Sequence, residues 1–214
     1  MAWPGRYNSL CVTKLEFVMI SSSELRDAVF LFSDIRGFSE WMLKNQHEAA
    51  DLLDLYYSAA FENLGSRREQ EYPRRVAKLL GDGFLVVYEY DGRKNSNLKE
   101  AIKKLIENTI LFRIDFYQKL EGSTIHGKRS LKCGFGLSYG KAVRIGIPGY
   151  PLDYVSDKIN FASRLVNVAN KDEVVFEEDL WEYIEAEDVF SLEKDERELK
   201  KIGKRTVGVF FVDV

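Results

Sequence analysis

The chain has 214 residues, 31 basic and 34 acidic side chains for a net charge of −3, and 45% hydrophobic residues. This length and apolar content fit one domain with a sizeable core, and the mixed charge disfavours a general binder of nucleic acids or anionic membranes. The cysteines, Cys11 and Cys133, are too few for a disulfide-stapled secreted fold, and no apolar run reaches the roughly 20 residues of a membrane span. We therefore expect a cytoplasmic protein without a nucleic-acid or membrane partner.

After an N-terminal segment of unclear structure, residues 1–24, the chain alternates between strand-like and helix-like stretches. Short runs rich in β-branched and aromatic residues indicate buried strands, and apolar residues spaced i, i+3, i+4, i+7 indicate amphipathic helices. In chain order we predict a strand at 28–32, a helix at 48–64, strands at 74–80 and 84–90, a helix at 98–120, two strands within 131–147 that turn near Gly140, a helix at 156–170, a strand at 173–176, a helix at 177–185 and a strand at 206–214. Residues 25–214 are thus predicted to form one domain in which helices pack on a sheet.

Two aspartates follow strand-like stretches in similar ways. Asp34 comes after the apolar run at 28–32, and Asp82 lies between two glycines at the predicted hairpin turn. If the two strands are neighbours, both carboxylates converge at one edge of the sheet, and one or two carboxylates with substrate phosphates are the usual ligands of Mg²⁺. A simpler explanation is that Asp34 caps a helix and Asp82 belongs to the turn, and for this pair alone it is favoured.

A second pair of polar residues lies on the predicted helix at 156–170. Asn160 and Arg164 are four residues apart, so their side chains leave the helix on the same face. An amide beside a guanidinium suits an anion that gains charge, such as a pentacoordinate phosphorus. Polar residues on a helix more often form only a solvated face, and for these two alone that explanation is favoured.

Taken together, the stretches VFLFSDIRGFS, VAKLLGDGFLVVY and LDYVSDKINFASRL resemble the functional motifs of the class III nucleotidyl cyclase catalytic domain. The closing stretch ELKKIGKRTVGVFFV is similar to the family's last strand, so the resemblance covers residues 25–214. It implies an α+β fold, the class III cyclase fold, with a ferredoxin-like βαββαβ core sheet and helices packed on it. It also implies an enzyme, a phosphorus–oxygen lyase that converts a nucleoside triphosphate to a 3′,5′-cyclic nucleotide and pyrophosphate.

The resemblance assigns roles to individual residues. Asp34 and Asp82, with Ile35, become ligands of two divalent metal ions, Mn²⁺ or Mg²⁺, and Asn160 and Arg164 become the catalytic pair at the transition state. Backbone N–H groups at the start of a helix would bind the phosphates; the residues concerned are Ile35, Arg36, Gly37 and Phe38. In this family the site lies at a head-to-tail dimer interface, so one homodimer would form two complete sites.

The residues leave more than one nucleobase open. Lys78 and Asp153 fall where adenylate cyclases of this family keep their base-reading residues, which favours ATP. Cytosine, however, offers the same amino donor and ring-nitrogen acceptor as adenine, and uracil offers an N–H and carbonyls. Compact, standalone members resemble the Pycsar cyclases, which make cyclic UMP or cyclic CMP in antiphage defence. We therefore favour a pyrimidine cyclase, with an adenylate cyclase as the alternative.

Several residues near the predicted site bear on this choice. Ile145 stands where the family commonly has glycine, Arg144 lies beside it, and Tyr56 and Tyr57 lie on the helix next to the site. Arg144 and the tyrosines are candidates for base binding, although a solvent-facing arginine and core tyrosines would explain them more simply. An inactive domain that binds nucleotide or a partner is the alternative of another class. Such domains usually lose a metal aspartate or the transition-state arginine, and this chain keeps them.

Overall fold

A computed structural model of the chain describes residues 22–65, 74–90, 95–146, 152–185 and 191–212. Most of the N-terminal segment set apart by the sequence therefore lies outside the described residues. Within these ranges the strands are β1 (Ser22–Arg36), β2 (Arg74–Leu79), β3 (Gly83–Tyr90), β4 (Lys132–Gly146), β5 (Asp153–Val155), β6 (Glu173–Glu177), β7 (Glu193–Leu199) and β8 (Gly203–Phe211). The helices are α1 (Phe38–Asn45), α2 (Ala49–Asn63), α3 (Asn95–Gly122), α4 (Asp157–Val168) and α5 (Trp181–Glu185). None of the helices in these ranges is long and apolar enough to cross a membrane.

The described strands form one sheet in the order β2-β3-β1-β4-β6-β8-β7, with β5 paired to β4. Strand β1 is antiparallel to both β3 and β4, whereas β4 and β6 run parallel. Helices α1 and α2 connect β1 to β2, and α3 connects β3 to β4. This arrangement is the ferredoxin-like βαββαβ core, so the predicted α+β fold is confirmed.

Different helices and strands pack on the two faces of the sheet. Val29 and Leu31 of β1 face the main core, which is formed with α2 and α3. Ala28 and Phe30 face the other side, where α4 and β5 cover part of the sheet. Because side chains alternate along a strand, Asp34 lies on the same face as Ala28 and Phe30. We call this second face the site face and the first the core face.

Strand β4 differs from the sequence prediction, because it continues through Gly140 without turning. The prediction of two strands was wrong because pairing with a strand that is distant in sequence keeps this stretch extended. Strand β1 is itself 15 residues long and pairs with β4 from Ser22 opposite Gly146 to Arg36 opposite Lys132. Strands β5 and β7 were not predicted either, and α1 was expected only as a helix start within residues 35–38. The sequence of β7, EKDEREL, is a charged edge strand without the apolar alternation that reveals a strand.

Candidate active site

The β2–β3 hairpin places Asp82 beside the end of β1. Gly81 has a φ of 79°, a left-handed conformation that favours glycine. A Cβ atom at Gly83 would lie 2.6 Å from the carbonyl oxygen of Ser33. The N–H of Ile35 donates a hydrogen bond of 2.9 Å to the carbonyl oxygen of Asp82. The two glycines therefore allow the turn to close tightly against β1, and the aspartate between them stands at that junction.

Asp34 shares this end of the sheet with Asp82. It pairs with Gly83 across β1 and β3. Burial raises the pKa of Asp34 to about 6, while the guanidinium of Arg36 opposes this shift and the charge of Asp82 adds to it. The Oδ1 atom of Asp34 is buried and has no hydrogen-bond partner among the described residues. A buried carboxylate oxygen that is ion-paired with Arg36 but accepts no hydrogen bond among the described residues, next to a second carboxylate, fits a divalent cation.

The side chains described at this point are the carboxylates of Asp34 and Asp82 and the guanidinium of Arg36. No group of three or more His, Cys, Asp or Glu side chains suited to a metal occurs in the described part of the chain. Helix α1 begins at Phe38, directly after Gly37, so backbone N–H groups lie near the carboxylates. The N–H of Ile35 is already bonded to Asp82, which leaves Gly37 and Phe38 as the better phosphate donors. Substrate phosphates, backbone carbonyls and water would complete the coordination of a hard cation.

The structure brings the two base-reading candidates together. The Nζ atom of Lys78 lies 2.8 Å from Oδ1 of Asp153, and the two side chains are 39% and 42% exposed. The N–H of Tyr154 donates a 2.7 Å hydrogen bond to the same carboxylate oxygen. The pair is thus oriented by the backbone of β5 and open to a ligand.

Ile145 is the neighbour of Asp153 in the sheet. In the β4–β5 ladder its Cα is paired with that of Asp153. Side chains at such positions share a face, with Cβ atoms about 4.5–5.5 Å apart. A branched side chain therefore borders the carboxylate at a position where the family commonly has glycine.

Helix α4 presents Asn160 and Arg164 at the surface. Asn160 is exposed and Arg164 is partly exposed, and neither side chain has a hydrogen-bond or ion-pair partner among the described residues. Their separation of four residues keeps both side chains on one face of the helix. Such unengaged side chains are available to a bound ligand or to the site of a second chain.

The position of α4 is set by its contacts with β4. A Cβ atom at Gly136 would collide with the backbone of Ala162 and Val166, so the helix lies directly on the backbone of the strand. Ser138 donates a 2.7 Å hydrogen bond from Oγ to the carbonyl oxygen of Lys158. The contacts fix α4, and with it Asn160 and Arg164, on the site face.

The two tyrosine candidates do not reach the Lys78–Asp153 pair. Tyr56 is fully buried on the core face, where its hydroxyl is hydrogen-bonded to Ser33 over 2.7 Å. The hydroxyl of Tyr57 donates to the carbonyl oxygen of Gly81. Burial and the charge of Asp82 raise the pKa of Tyr57. Tyr57 therefore supports the turn that carries Asp82.

Arg144 is held in a network of charged and polar side chains. Its Nη1 lies 3.3 Å from both carboxylate oxygens of Glu89, and its Nη2 pairs with Glu24. The hydroxyl of Tyr154 donates a 2.6 Å hydrogen bond to Glu89, which is buried. Glu89 and Tyr154 were missed from the sequence, although a glutamate within the apolar run FLVVYEY was a usable signal. The network ties β5, and so Asp153, to the central strands.

Comparison with known protein families identifies the class of protein to which the chain belongs. The adenylate and guanylate cyclase catalytic domain matches residues 20–214, nearly the whole chain. The chain therefore belongs to this family, and the predicted class III nucleotidyl cyclase domain is confirmed. It is an enzyme domain of the phosphorus–oxygen lyase type.

Solved structures of cyclases share the fold. The guanylyl cyclase Cya2 is 17% identical, with a TM-score of 0.65 over 88% of this chain and 92% of its own. The adenylyl cyclase CyaB from P. aeruginosa is 18% identical, with a TM-score of 0.60 over 90% and 96%. The guanylate cyclase domain of RhGC from Catenaria anguillulae, solved in complex with GTP, is 17% identical, with a TM-score of 0.57 over 87% and 97%. No curated protein matches the sequence significantly. Adenylyl and guanylyl cyclases both resemble the chain, so the fold leaves the base open.

Proposed function

We propose that the chain is a pyrimidine nucleotide cyclase, which converts UTP or CTP to cyclic UMP or cyclic CMP. The observation that supports the choice of base is the pairing of Ile145 with Asp153. A branched side chain beside the base-reading carboxylate favours a base with one ring over a base with two. The Lys78–Asp153 pair supplies a donor and an acceptor that cytosine can satisfy as adenine does.

The proposed reaction joins the ribose 3′-oxygen to the α-phosphorus. The bond from this phosphorus to the oxygen that bridges to the β-phosphate breaks, pyrophosphate leaves, and the 3′-hydroxyl proton passes to solvent. Asp34 and Asp82, with the carbonyl of Ile35, would hold two divalent ions, Mn²⁺ or Mg²⁺, which supply activation of the 3′-hydroxyl and neutralisation of the leaving group. Arg164 donates to the phosphate oxygens as they gain charge, and Asn160 orients the ribose.

The proposed active form is a head-to-tail homodimer with two sites. Asn160 and Arg164 have no partner among the described residues of their own chain, which suits residues that act on a substrate held by another chain. In such a dimer the aspartates of one protomer and the base and transition-state residues of the other form one site. A twofold axis produces the second site from the same residues.

The first test identifies the product. The purified protein is incubated separately with ATP, GTP, CTP and UTP in the presence of Mn²⁺ or Mg²⁺, and the product is identified by mass. Cyclic UMP or cyclic CMP is expected. Cyclic AMP as the main product would establish the adenylate cyclase alternative, which the Lys78–Asp153 pair favours. Absence of any cyclic product would favour the inactive domain.

Replacing Ile145 by glycine is expected to shift the preference toward purines. The ratio of kcat/KM for ATP to that for the preferred pyrimidine nucleotide should rise at least about tenfold, since each methylene in a pocket is worth about 10–200-fold in discrimination. Val143→Gly is the matched control, because Val143 lies two residues away on β4 and pairs with Val155 instead. Equal ratios in both variants and the unaltered protein would contradict the role of Ile145.

A cyclic pyrimidine nucleotide would give the chain a role in Pycsar-type antiphage defence. In this proposal the product is a second messenger that is made when phage infects the cell. Cells that carry the gene with its neighbouring genes are expected to resist phage, and cells with the Asp34→Asn variant are expected to be lysed. Equal survival of the two strains would contradict the role in defence but not the reaction.

A further inference from the structure

Arg36 forms an ion pair with the carboxylate that we assign to the metal site. Its Nε lies 3.1 Å from Oδ1 of Asp34, and the two side chains are only 21% and 25% exposed. Neither Oδ1 of Asp34 nor Nε and Nη2 of Arg36 has a hydrogen-bond partner among the described residues. The two groups are therefore held together mainly by charge, and both retain unused hydrogen-bonding capacity.

The sheet keeps the guanidinium close to the carboxylate. Arg36 and Asp34 are two residues apart on β1 and so lie on the same face. Gly134 of β4 is paired with Asp34, and a Cβ atom at this glycine would collide with Nε and Nη2 of Arg36. The guanidinium thus occupies the space that a side chain at position 134 would fill.

We propose that Arg36 is an exchangeable counter-ion of the metal site. It neutralises Asp34 while no metal is bound, and it moves to the phosphate oxygens of the substrate when a metal ion takes the carboxylate. The inference rests on the proposed function, because it assumes that Asp34 is a metal ligand.

Electrostatics explains why Arg36 would lie on Asp34 without a metal ion and on the phosphates when metal and nucleotide are bound. A divalent ion on Asp34 repels a guanidinium that stays within about 4 Å of it, and this repulsion is strong in a partly buried site. The substrate brings a triphosphate to the same place, and a guanidinium binds phosphate oxygens with two parallel hydrogen bonds. Metal and nucleotide together therefore release Arg36 from Asp34 and offer it a better partner.

The proposal predicts that loss of the guanidinium changes two affinities in opposite directions. Mn²⁺ should bind the nucleotide-free protein more tightly in Arg36→Gln, because no cation competes for Asp34. The nucleotide should bind less tightly, because one phosphate ligand is missing. A residue that only supported the fold would weaken both affinities when replaced.

The test measures Mn²⁺ binding to the nucleotide-free protein through the electron paramagnetic resonance signal of free Mn²⁺. Arg36→Gln is expected to lower the Kd for Mn²⁺ about tenfold, and to raise the KM for the nucleotide at saturating Mn²⁺ about tenfold. Arg36→Lys keeps a cation and should leave the Kd within about twofold of the original value. Gly134→Ala displaces the guanidinium without removing its charge, and should also lower the Kd.

The measured Kd values for Mn²⁺ decide whether the proposal stands. Tighter Mn²⁺ binding in Arg36→Gln and Gly134→Ala supports the proposal, and unchanged or weaker binding in both, with both variants folded by circular dichroism, overturns it. If Arg36→Gln does not fold, the Kd of Gly134→Ala decides in the same way. Asp34→Asn distinguishes a failure of the Arg36 proposal from a failure of the proposed metal site. Mn²⁺ binding that requires Asp34 but is indifferent to Arg36 overturns only this proposal, whereas Mn²⁺ binding that is indifferent to Asp34 overturns the metal site as well.

Discussion

Replacing Asp34 by asparagine is expected to lower cyclase turnover at least about 1,000-fold, because an amide is a poor ligand for a metal ion that contributes several kcal/mol to the transition state. The measurement is the initial rate of cyclic nucleotide formation at saturating Mn²⁺. Asp54→Asn is the matched control, since Asp54 lies exposed on α2, and it should leave the rate unchanged. A rate within tenfold of the original in Asp34→Asn would remove this residue from the metal site.

The same substitution is expected to stabilise the metal-free protein. The folded pKa of Asp34, about 6, lies above the ordinary value of 3.8 because the carboxylate is buried. The folded state therefore holds the proton more strongly than the unfolded chain does, and above pH 6 the buried charge lowers the free energy of unfolding. Asp34→Asn should raise this free energy at pH 8 by on the order of 2–3 kcal/mol, as measured by urea unfolding in EDTA. A loss of both activity and stability would instead point to a structural role for Asp34.

The carboxylates were predictable because local chemistry specifies them. Asp82 between two glycines predicts a tight turn, and an apolar run predicts a central strand that ends near Asp34. Once the two strands are neighbours, pairing places Asp34 opposite Gly83 without further information. The helical separation of Asn160 and Arg164 is equally local. These residues needed only the spacing of the chain and the pairing of two strands.

Other features depend on partners that are distant in sequence. Arg144 is held by Glu89 and Glu24, which are 55 and 120 residues away, so its environment cannot be inferred from its neighbours on β4. The unbroken course of β4 through Gly140 likewise depends on the length of β1. Tyr56 and Tyr57 are adjacent on one helix, yet one is a core residue and the other supports a turn. Helical spacing showed that they were inward-facing but not what they would meet.

The site face of each chain carries both groups of candidate residues. Its carboxylates lie where the β2–β3 hairpin meets the end of β1, and its transition-state candidates stand unengaged on α4. A substrate bound only at the metal site of Asp34 and Asp82 would lack the Asn160–Arg164 pair that we assign to the transition state, and one bound only by Arg164 would lack the metal ions. Two chains placed head to tail would supply both to each substrate. This sharing of each site between two chains predicts the activity of dimers formed from two different inactive variants.

Two inactive variants are expected to restore activity to each other. Asp34→Asn lacks the metal half of the site, and Arg164→Ala lacks the transition-state half, so each alone should be nearly inactive. When equal amounts are unfolded together in urea and refolded, random pairing makes half of the dimers mixed. Each mixed dimer has one site with both halves intact, so we expect about a quarter of the original activity.

The control places both substitutions in one chain and refolds it with an equal amount of the unaltered chain. In a mixed dimer of this kind each site has one damaged half, so only the unaltered homodimers are active and about a quarter of the activity remains. If each site were instead built within a single chain, the control would retain about half of the activity, and the two single variants would not recover any. A shared site thus predicts about a quarter of the activity in both mixtures. A site within one chain predicts none in the mixture of single variants and about half in the control, so the rate of cyclic nucleotide formation distinguishes the two arrangements.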